Sequence, residues 1–201
     1  DKRSDVYSLG RIVNFVMTKN SNIFSHSLRS VSEKATNLEP DYRYQDATEM
    51  LNALNAWLSI RSNETFKKTI WEKIDHGVFD EDIENYIYEM SARELCQTCI
   101  KKDNIFIESL MVFMKIDDTH AIYIIQTIHS NYEQYLKRFE YADPFASLSF
   151  RVLKGQFSFN VKEVAAQILH YIAYVVERFS AQHMIEYLIE NGIEPMIESI
   201  L

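Results

Sequence analysis

The chain has 201 residues, enough for one sizeable domain or two small ones. Its hydrophobic fraction of 47% suffices for a packed core, and its four Gly and three Pro are few for a turn-rich sheet protein. The net charge of −8 argues against nucleic acid or an anionic membrane as the main partner, and no apolar run reaches the roughly 18 to 20 residues that span a bilayer. The two cysteines suit a reducing compartment. We predict an all-α, cytoplasmic protein.

Charge is distributed unevenly along the sequence. Residues 1–62 contain 8 Lys and Arg against 7 Asp and Glu, a balance of +1, whereas residues 63–201 contain 13 against 22, a balance of −9. The change falls on the polar stretch from Arg61 to Glu64, where Ser and Asn suit a helix end followed by a helix start. We therefore predict two domains, residues 1–62 and residues 63–201.

Three helices are predicted in the first domain. The first begins at Ser4 or Asp5, either of which can cap it, and its apolar residues recur at helical spacing. Gly10 lies inside this helix, where it costs about 1 kcal/mol relative to Ala, so we expect a neighbouring backbone to approach it closely. The second helix reaches residue 38 and is stopped by Pro40, and the third begins after Asp46.

Two motifs and a further helix occur here in a specific order. Residues 4–12 read Ser-Asp-Val-Tyr-Ser-Leu-Gly-Arg-Ile, and residues 35–44 read Ala-Thr-Asn-Leu-Glu-Pro-Asp-Tyr-Arg-Tyr. The first motif resembles the central C-lobe helix of serine/threonine protein kinases, with its Asp-Val-x-Ser-x-Gly pattern. The second resembles the later turn in which Pro precedes an Arg-Tyr pair, and residues 47–58 resemble the last kinase helix. The intervening helix of most kinases is expected to be reduced to residues 22–27.

The resemblance implies structural roles for Asp5, Ser8, Gly10 and Arg43. Asp5 would be the buried carboxylate that accepts hydrogen bonds from the catalytic-loop backbone, and Arg43 would pair with the Glu that ends the activation segment. Both partners lie upstream of residue 1 in the family. We therefore expect Asp5 and Arg43 to lack their usual partners, on a shared face that is exposed, covered by the second domain or buried in a dimer contact. The alternative is that Asp5 is an ordinary helix cap and Arg43 a solvated turn residue.

The parts that perform phosphoryl transfer do not occur in this sequence. A Gly-rich loop with its Lys, a His-Arg-Asp catalytic loop and an Asp-Phe-Gly motif are all missing, and phosphoryl transfer depends on positioning and electrostatic stabilisation by those parts. We expect no catalytic residue, metal ligand or cofactor-binding residue within residues 1–201. ATP and Mg²⁺ are expected only for a parent kinase.

The second domain continues as helices without a kinase motif. Two long helices are predicted over residues 118–139 and 161–179. Helix pairs that begin near residues 103, 143 and 180 recur at roughly forty-residue intervals, which favours a HEAT-like or armadillo-like α-solenoid. An irregular helical bundle is the alternative. The predicted helix starts are Asp80, Ser91 with Glu94 as a capping box, Asp103, Asp117 or Asp118, Asp143 followed by Pro144, Asn160 and Ser180.

Candidate chemical sites in the second domain are weak. Cys96 and Cys99 have the spacing of zinc and dithiol sites, but no second pair occurs, so both are predicted to be small, half-buried helix residues. The acidic run that starts at Asp80 lacks the Gly turn of a calcium loop and is interpreted as first-turn negative charge. The aromatic residues of 132–179 are predicted to be mostly core, with a tyrosine-lined groove as the alternative. Packing roles are predicted for His120, His129, His170 and His183.

These patterns together predict the C-terminal portion of a serine/threonine protein kinase that is not catalytic by itself. The acidic helical domain is predicted to bind a protein partner or to dock on the missing kinase region, with no nucleic-acid or membrane partner. The alternative is a free-standing helical scaffold, or pseudokinase remnant, that never had catalytic activity.

Overall fold

The computed structural model describes residues 2–24, 26–62 and 64–201, and within these residues every regular element is helical. The predicted all-α fold is therefore confirmed. The chain divides into two compact units, residues 1–90 and residues 91–201. The domain boundary predicted after residue 62 falls inside the first unit, at residue 63, which lies outside the described residues. That boundary rests on the charge shift and the kinase resemblance, and it stays a prediction.

The described residues of the first unit form five α-helices and one 3₁₀ turn. The three helices predicted for residues 1–62 all form, although the second ends at Ala35 and leaves Leu38 87% exposed. The described part of residues 22–27 contains no helix. The elements are α1 (Lys2–Thr18), α2 (Arg29–Ala35), the 3₁₀ turn Pro40–Tyr42, α3 (Ala47–Ser62), α4 (Glu64–Asp75) and α5 (Glu81–Glu89).

Gly10 sets the distance between α1 and α2. A Cβ atom at Gly10 would lie 2.7 Å from Thr36 Cγ2 and 2.8 Å from Ala35 Cβ, closer than carbon atoms pack. The backbone of α2 is also close, with the Ser32 carbonyl oxygen 3.3 Å from that position, so the close approach expected from the sequence is confirmed. It lets Val6 of α1 join the core of this unit. One cluster of that core consists of Val6, Val31, Ala35, Tyr44 and Met50.

A buried polar pair joins α1 to the segment before α2. His26 Nε2 lies 2.7 Å from Asn14 Oδ1, and the backbone N–H of Leu28 donates to His26 Nδ1 at 3.2 Å. Because Nδ1 accepts a hydrogen bond, Nε2 carries the proton and donates it to Asn14, so the ring is neutral. The Asn14 amide in turn donates to the Ser21 carbonyl at 3.1 Å. Burial, followed by the charge of Arg29, lowers the pKa of His26.

The second unit contains six α-helices. They are joined by short turns and by two 3₁₀ segments and one π-helical segment. The elements are α6 (Ala92–Ile116), α7 (Asp118–His129), the 3₁₀ segments Tyr132–Tyr135 and Phe139–Ala142, α8 (Asp143–Lys154), α9 (Phe159–His170), the π-helical segment Tyr171–Val175, α10 (Phe179–Glu190) and α11 (Pro195–Glu198). No helix of the described chain is long and apolar enough to cross a membrane.

The helices of the second unit pack in two rows. The first helices of successive pairs contact each other, α6 on α8 and α8 on α10, and the second helices do the same, α7 on α9 and α9 on α11. Within a pair, α6 packs on α7 and α8 packs on α9. Stacked helix pairs of this kind also occur in α-solenoids. Assignment to the HEAT or armadillo type stays a prediction.

Ion pairs connect neighbouring helix pairs at each step of this stack. Arg151 of α8 pairs with Glu108 of α6. Arg178, just before α10, donates from Nε to Asp143 Oδ1 at 3.0 Å, and Lys162 of α9 lies 2.5 Å from Glu194, just before α11. These pairs are partly exposed, so each contributes less than about 1 kcal/mol. Their role is geometric: they fix the position of one helix pair relative to the next.

Three predicted helix caps, at Asp143, Asn160 and Ser180, are wrong. Two of these side chains, Asp143 and Ser180, serve a tertiary contact instead. Asp143 does not cap α8; its carboxylate accepts from Arg178 and from Ser180 Oγ at 3.2 Å. Ser180 therefore donates to Asp143 and does not cap α10. Asn160 lies inside α9, which starts at Phe159. The caps at Asp80, Ser91 with Glu94, and Asp117 are confirmed.

Two predicted helices end early, and one predicted start is a kink. α7 ends at His129 because the chain turns so that Tyr132, 1% exposed, packs on the ring of Phe145 at 5.7 Å. The predicted helix over residues 161–179 is α9 followed by the π-helical segment.

Asp103, which was predicted to start a helix, instead lies within α6 with φ 45° and ψ −129°. This conformation strains a residue with a Cβ.

Replacing Gly10 with Ala tests the close approach of α1 and α2. Gly10→Ala should gain about 1 kcal/mol of helix propensity but lose about 1 to 3 kcal/mol through overpacking against Ala35 and Thr36, so the net free energy of unfolding should fall. The control is Ser8→Ala in the same helix, since Ser8 is exposed and donates only to the Ser4 carbonyl at 3.1 Å. Urea unfolding measures both. A Gly10→Ala protein at least as stable as Ser8→Ala would contradict the close approach.

The His26 network predicts acid sensitivity. The folded pKa of His26 is below its ordinary value of 6.5, so the unfolded chain takes up a proton first as the pH falls through that value, and the free energy of unfolding decreases. The melting temperature should therefore fall between about pH 7.5 and pH 5. His26→Gln should remove part of this decrease, whereas His183→Gln, at an exposed position, should leave it unchanged. Identical pH profiles for all three proteins would rule out the His26 network as the cause.

Candidate functional site

The residues singled out by the kinase resemblance lie on and around α1. Asp5 and Ser8 are exposed, whereas Gly10 is buried against α2. Asp5 does not cap α1, which begins at Lys2; it lies in the first turn, where a negative charge is favoured by the helix dipole. Within the described residues its carboxylate has no hydrogen-bond or ion-pair partner. The structure thus brings Asp5 and Ser8 to the surface and Gly10 to the core.

The exposed side of α1 is apolar, which is unusual for a surface helix. Leu9, Ile12 and Val16 follow Asp5 at spacings of four, seven and eleven residues. The three apolar residues therefore lie on the same side of the helix as Asp5. Leu9, Ile12 and Val16 are 37%, 55% and 61% exposed, and the neighbouring Phe15 is 54% exposed. We call the four residues Leu9, Ile12, Phe15 and Val16 the α1 apolar stripe.

Arg43 holds the Pro40 turn onto the first turns of α1. Its guanidinium donates to the carbonyl oxygens of Asn37 at 2.7 Å, Leu38 at 3.2 Å and Arg3 at 3.3 Å. It also lies 4.9 Å from the centre of the Tyr7 ring, within cation–π range. Three backbone carbonyls therefore occupy the guanidinium, and Arg43 is a structural anchor in this chain.

Asp5 and Arg43 do not share a face of α1, contrary to our expectation. Arg43 contacts Arg3 and Tyr7, which lie two residues before and after Asp5. Two residues correspond to about 200° of rotation around an α-helix, so these contacts are on the opposite side from Asp5. The sequence motif could not show this, because the Arg belongs to a turn whose docking side is set by tertiary packing.

Two guanidinium groups contact the Tyr7 ring, an arrangement that sequence reasoning missed. Arg11 donates from Nε and Nη2 to the Tyr7 hydroxyl at 3.1 and 2.8 Å, with its Cζ 5.2 Å from the ring centre. Arg43 contacts the same ring. The i, i+4 spacing of Tyr7 and Arg11 was the available signal. Arg11 also donates from Nη1 to the Ser21 carbonyl at 3.0 Å, which fixes the loop after α1.

The cysteine pair and the acidic run do not form chemical sites. Cys96 and Cys99 are fully buried, more than the half-buried state predicted, and burial raises the pKa of the Cys96 thiol to about 12 and that of Cys99 further. Thiols in this state are poor nucleophiles and poor metal ligands. Lys73 pairs with two carboxylates of the acidic run, with its Nζ 2.7 Å from both Asp80 and Asp82. Among the described residues, no group of three His, Cys, Asp or Glu could hold a metal ion.

Arg43→Lys distinguishes a structural anchor from a solvated turn residue. A Lys side chain cannot donate to three separate carbonyls or stack on Tyr7 as a guanidinium does, so the free energy of unfolding should fall by about 1 to 2 kcal/mol. The matched control is Arg138→Lys, at an exposed Arg that lies 3.7 Å from Glu140. Denaturant unfolding of both variants checks this. Equal stabilities would mean that Arg43 is a solvated turn residue.

Comparison with protein-family models, curated proteins and solved structures gives no match to this chain. The kinase resemblance therefore rests on the two sequence motifs of residues 4–12 and 35–44, on their order, and on the helix of residues 47–58 that follows them.

Proposed function

We propose that this chain is the C-terminal portion of a cytoplasmic serine/threonine protein kinase. Residues 1–62 would complete the C-lobe, and residues 63–201 would form a HEAT-like or armadillo-like domain for regulation or protein–protein interaction. The chain would contribute no catalytic residue. ATP and Mg²⁺ would be bound by the parent kinase outside this segment.

The α1 apolar stripe is the observation that supports this proposal most strongly. A helix at the surface of a complete domain normally turns its large apolar residues inward, but α1 packs through Val6, Gly10 and Asn14 and leaves Ile12 and Val16 exposed. In the kinase family the corresponding helix is central to the C-lobe. The resemblance thus supplies a covering for the stripe: the remainder of that lobe, which would also bring the catalytic-loop backbone to Asp5.

The helix rows of residues 91–201 support the second half of the proposal. Stacked helix pairs leave long exposed surfaces at the ends and sides of the stack, and proteins of this architecture use those surfaces to bind partners. The second unit exposes several large apolar residues near the π-helical segment, namely Tyr174, Val175 and Phe179. These features favour an interaction role for this unit over an enzymatic one.

Introducing a charge into the stripe tests the proposal, because its effect depends on what covers α1. In the 201-residue chain, Ile12→Glu should change the free energy of unfolding by less than about 0.5 kcal/mol, since Ile12 is exposed. In a chain extended upstream through a kinase domain, it should destabilise by several kcal/mol and abolish phosphoryl transfer, because an unpaired carboxylate would be buried. Met196→Glu, at a position 67% exposed in α11, is the control.

Two results would contradict the kinase assignment. One is a reading frame that opens at or just before residue 1, with no Gly-rich loop or His-Arg-Asp upstream. The other is an extended chain in which Ile12→Glu is as harmless as Met196→Glu. Either result would favour the free-standing helical scaffold.

A further inference from the structure

A cleft of about 500 Å³ opens within the second unit, between the first half of α6 and the segment that follows α7. Its volume lies within the range of small-molecule sites. It does not involve the α1 apolar stripe or any residue of the kinase-like motifs. The lining residues are Arg93, Gln97, Ile100, Lys101, Gln134, Tyr135, Lys137 and Tyr141.

The α6 wall of the cleft follows from helical spacing. Arg93, Gln97 and Lys101 are each four residues apart, so their side chains project from one side of the helix. The opposite wall is built by the 3₁₀ segment Tyr132–Tyr135 and the residues after it, which bring Lys137 towards the two α6 cations. If α7 continued to residue 139, as predicted, the residues after Tyr132 would not face α6. The cleft therefore depends on the end of α7 at His129.

The charge of the lining is opposite to that of its surroundings. Residues 91–201 contain 10 Lys and Arg against 14 Asp and Glu, a net charge of −4. The cleft nonetheless collects three cations and no carboxylate. Within the described residues, Arg93, Lys101 and Lys137 have no ion-pair partner, whereas Arg151, Lys162 and Arg178 elsewhere in this unit all pair with carboxylates. The three cations therefore have no structural counter-charge in the fold.

Arg93 is placed against helix electrostatics. It is the second residue of α6, after the Ser91 cap, where the positive end of the helix dipole disfavours a cation. Glu94, the next residue, belongs to the capping box: its carboxylate accepts from the Ser91 N–H at 3.0 Å. The electrostatics of α6 therefore do not account for a positive charge at residue 93.

From these observations we propose that the cleft binds a phosphate monoester. A dianionic phosphate offers several acceptor oxygens to the Arg and Lys donors, and Arg is suited to bidentate phosphate contacts. Gln97, Gln134 and the phenol groups of Tyr135 and Tyr141 add neutral donors, and the tyrosine rings provide apolar area for the group that carries the phosphate. That group is either a small organic molecule or a phosphorylated side chain of a peptide.

Isothermal titration calorimetry of the full 201-residue chain at low ionic strength tests the proposal, with phenyl phosphate and a phosphoserine peptide as probes. One-site binding should be seen, and it should weaken as salt is raised. Arg93→Gln, Lys101→Gln and Lys137→Gln should each weaken it by about tenfold, since each removes a charge-assisted hydrogen bond. Lys115→Gln is the control, because Lys115 is an exposed α6 lysine outside the cleft, and it should change affinity by less than about twofold.

Folding does not confound this test. Arg93→Gln should leave the melting temperature unchanged or raise it, because it removes a cation from the first turn of α6, so lost binding in a stable variant supports the proposal. Tighter binding of the peptide identifies a phosphorylated side chain as the ligand, and tighter binding of phenyl phosphate identifies a small molecule. No binding of either probe up to about 10 mM, or equal losses in Lys115→Gln and the cleft variants, would overturn the proposal.

Discussion

Burial of α8 on two sides is the constraint on which the second unit depends. Seven of its twelve residues are buried, because α6, α9 and α10 all pack on it. A helix with so wide an apolar arc has no stable place at a surface, so its neighbours on both sides have to be present together. The partly exposed pairs Glu108–Arg151 and Asp143–Arg178 join α8 to its neighbours. They fix the position of α8 along those neighbours and add little to the free energy of unfolding. In the stack of helices formed by residues 91–201, α8 is therefore the central helix, and both α6 and α10 pack on it.

The first unit is organised by the opposite arrangement. α1 packs through a narrow strip of small and medium residues, with Gly10 at its centre, and leaves its larger apolar side chains in water. Burial of apolar surface contributes roughly 25 cal/mol per Å², so a further contact that covers the α1 apolar stripe would add stability that the exposed stripe does not provide. This imbalance, more than any single motif residue, connects the observed helices with the proposed place of this segment in a larger kinase lobe.

The sequence predicted the helical class and most helix positions, because apolar periodicity and the Ser91–Glu94 capping box are local signals. It failed where a polar side chain serves a distant contact. Asp143 reads as a cap but binds Arg178, 35 residues away, and Tyr132 reads as helical but turns into the core. The same limit applies to the candidate site. Gly10 was predictable because a helical Gly needs a packing reason, whereas the side of α1 to which Arg43 docks is set by tertiary structure.

The buried thiols give the second unit an internal reporter. Cys96 and Cys99 point into the core from α6, and their raised pKa values leave almost no thiolate at neutral pH. An alkylating reagent can therefore reach them only when α6 separates from its neighbours, so the labelling rate follows the local opening equilibrium of this helix. Because the same helix carries Arg93 and Lys101, a ligand that bridges the cleft would slow cysteine modification without touching either sulfur atom. The motif that first suggested redox or zinc chemistry thus becomes a measure of how firmly α6 is held.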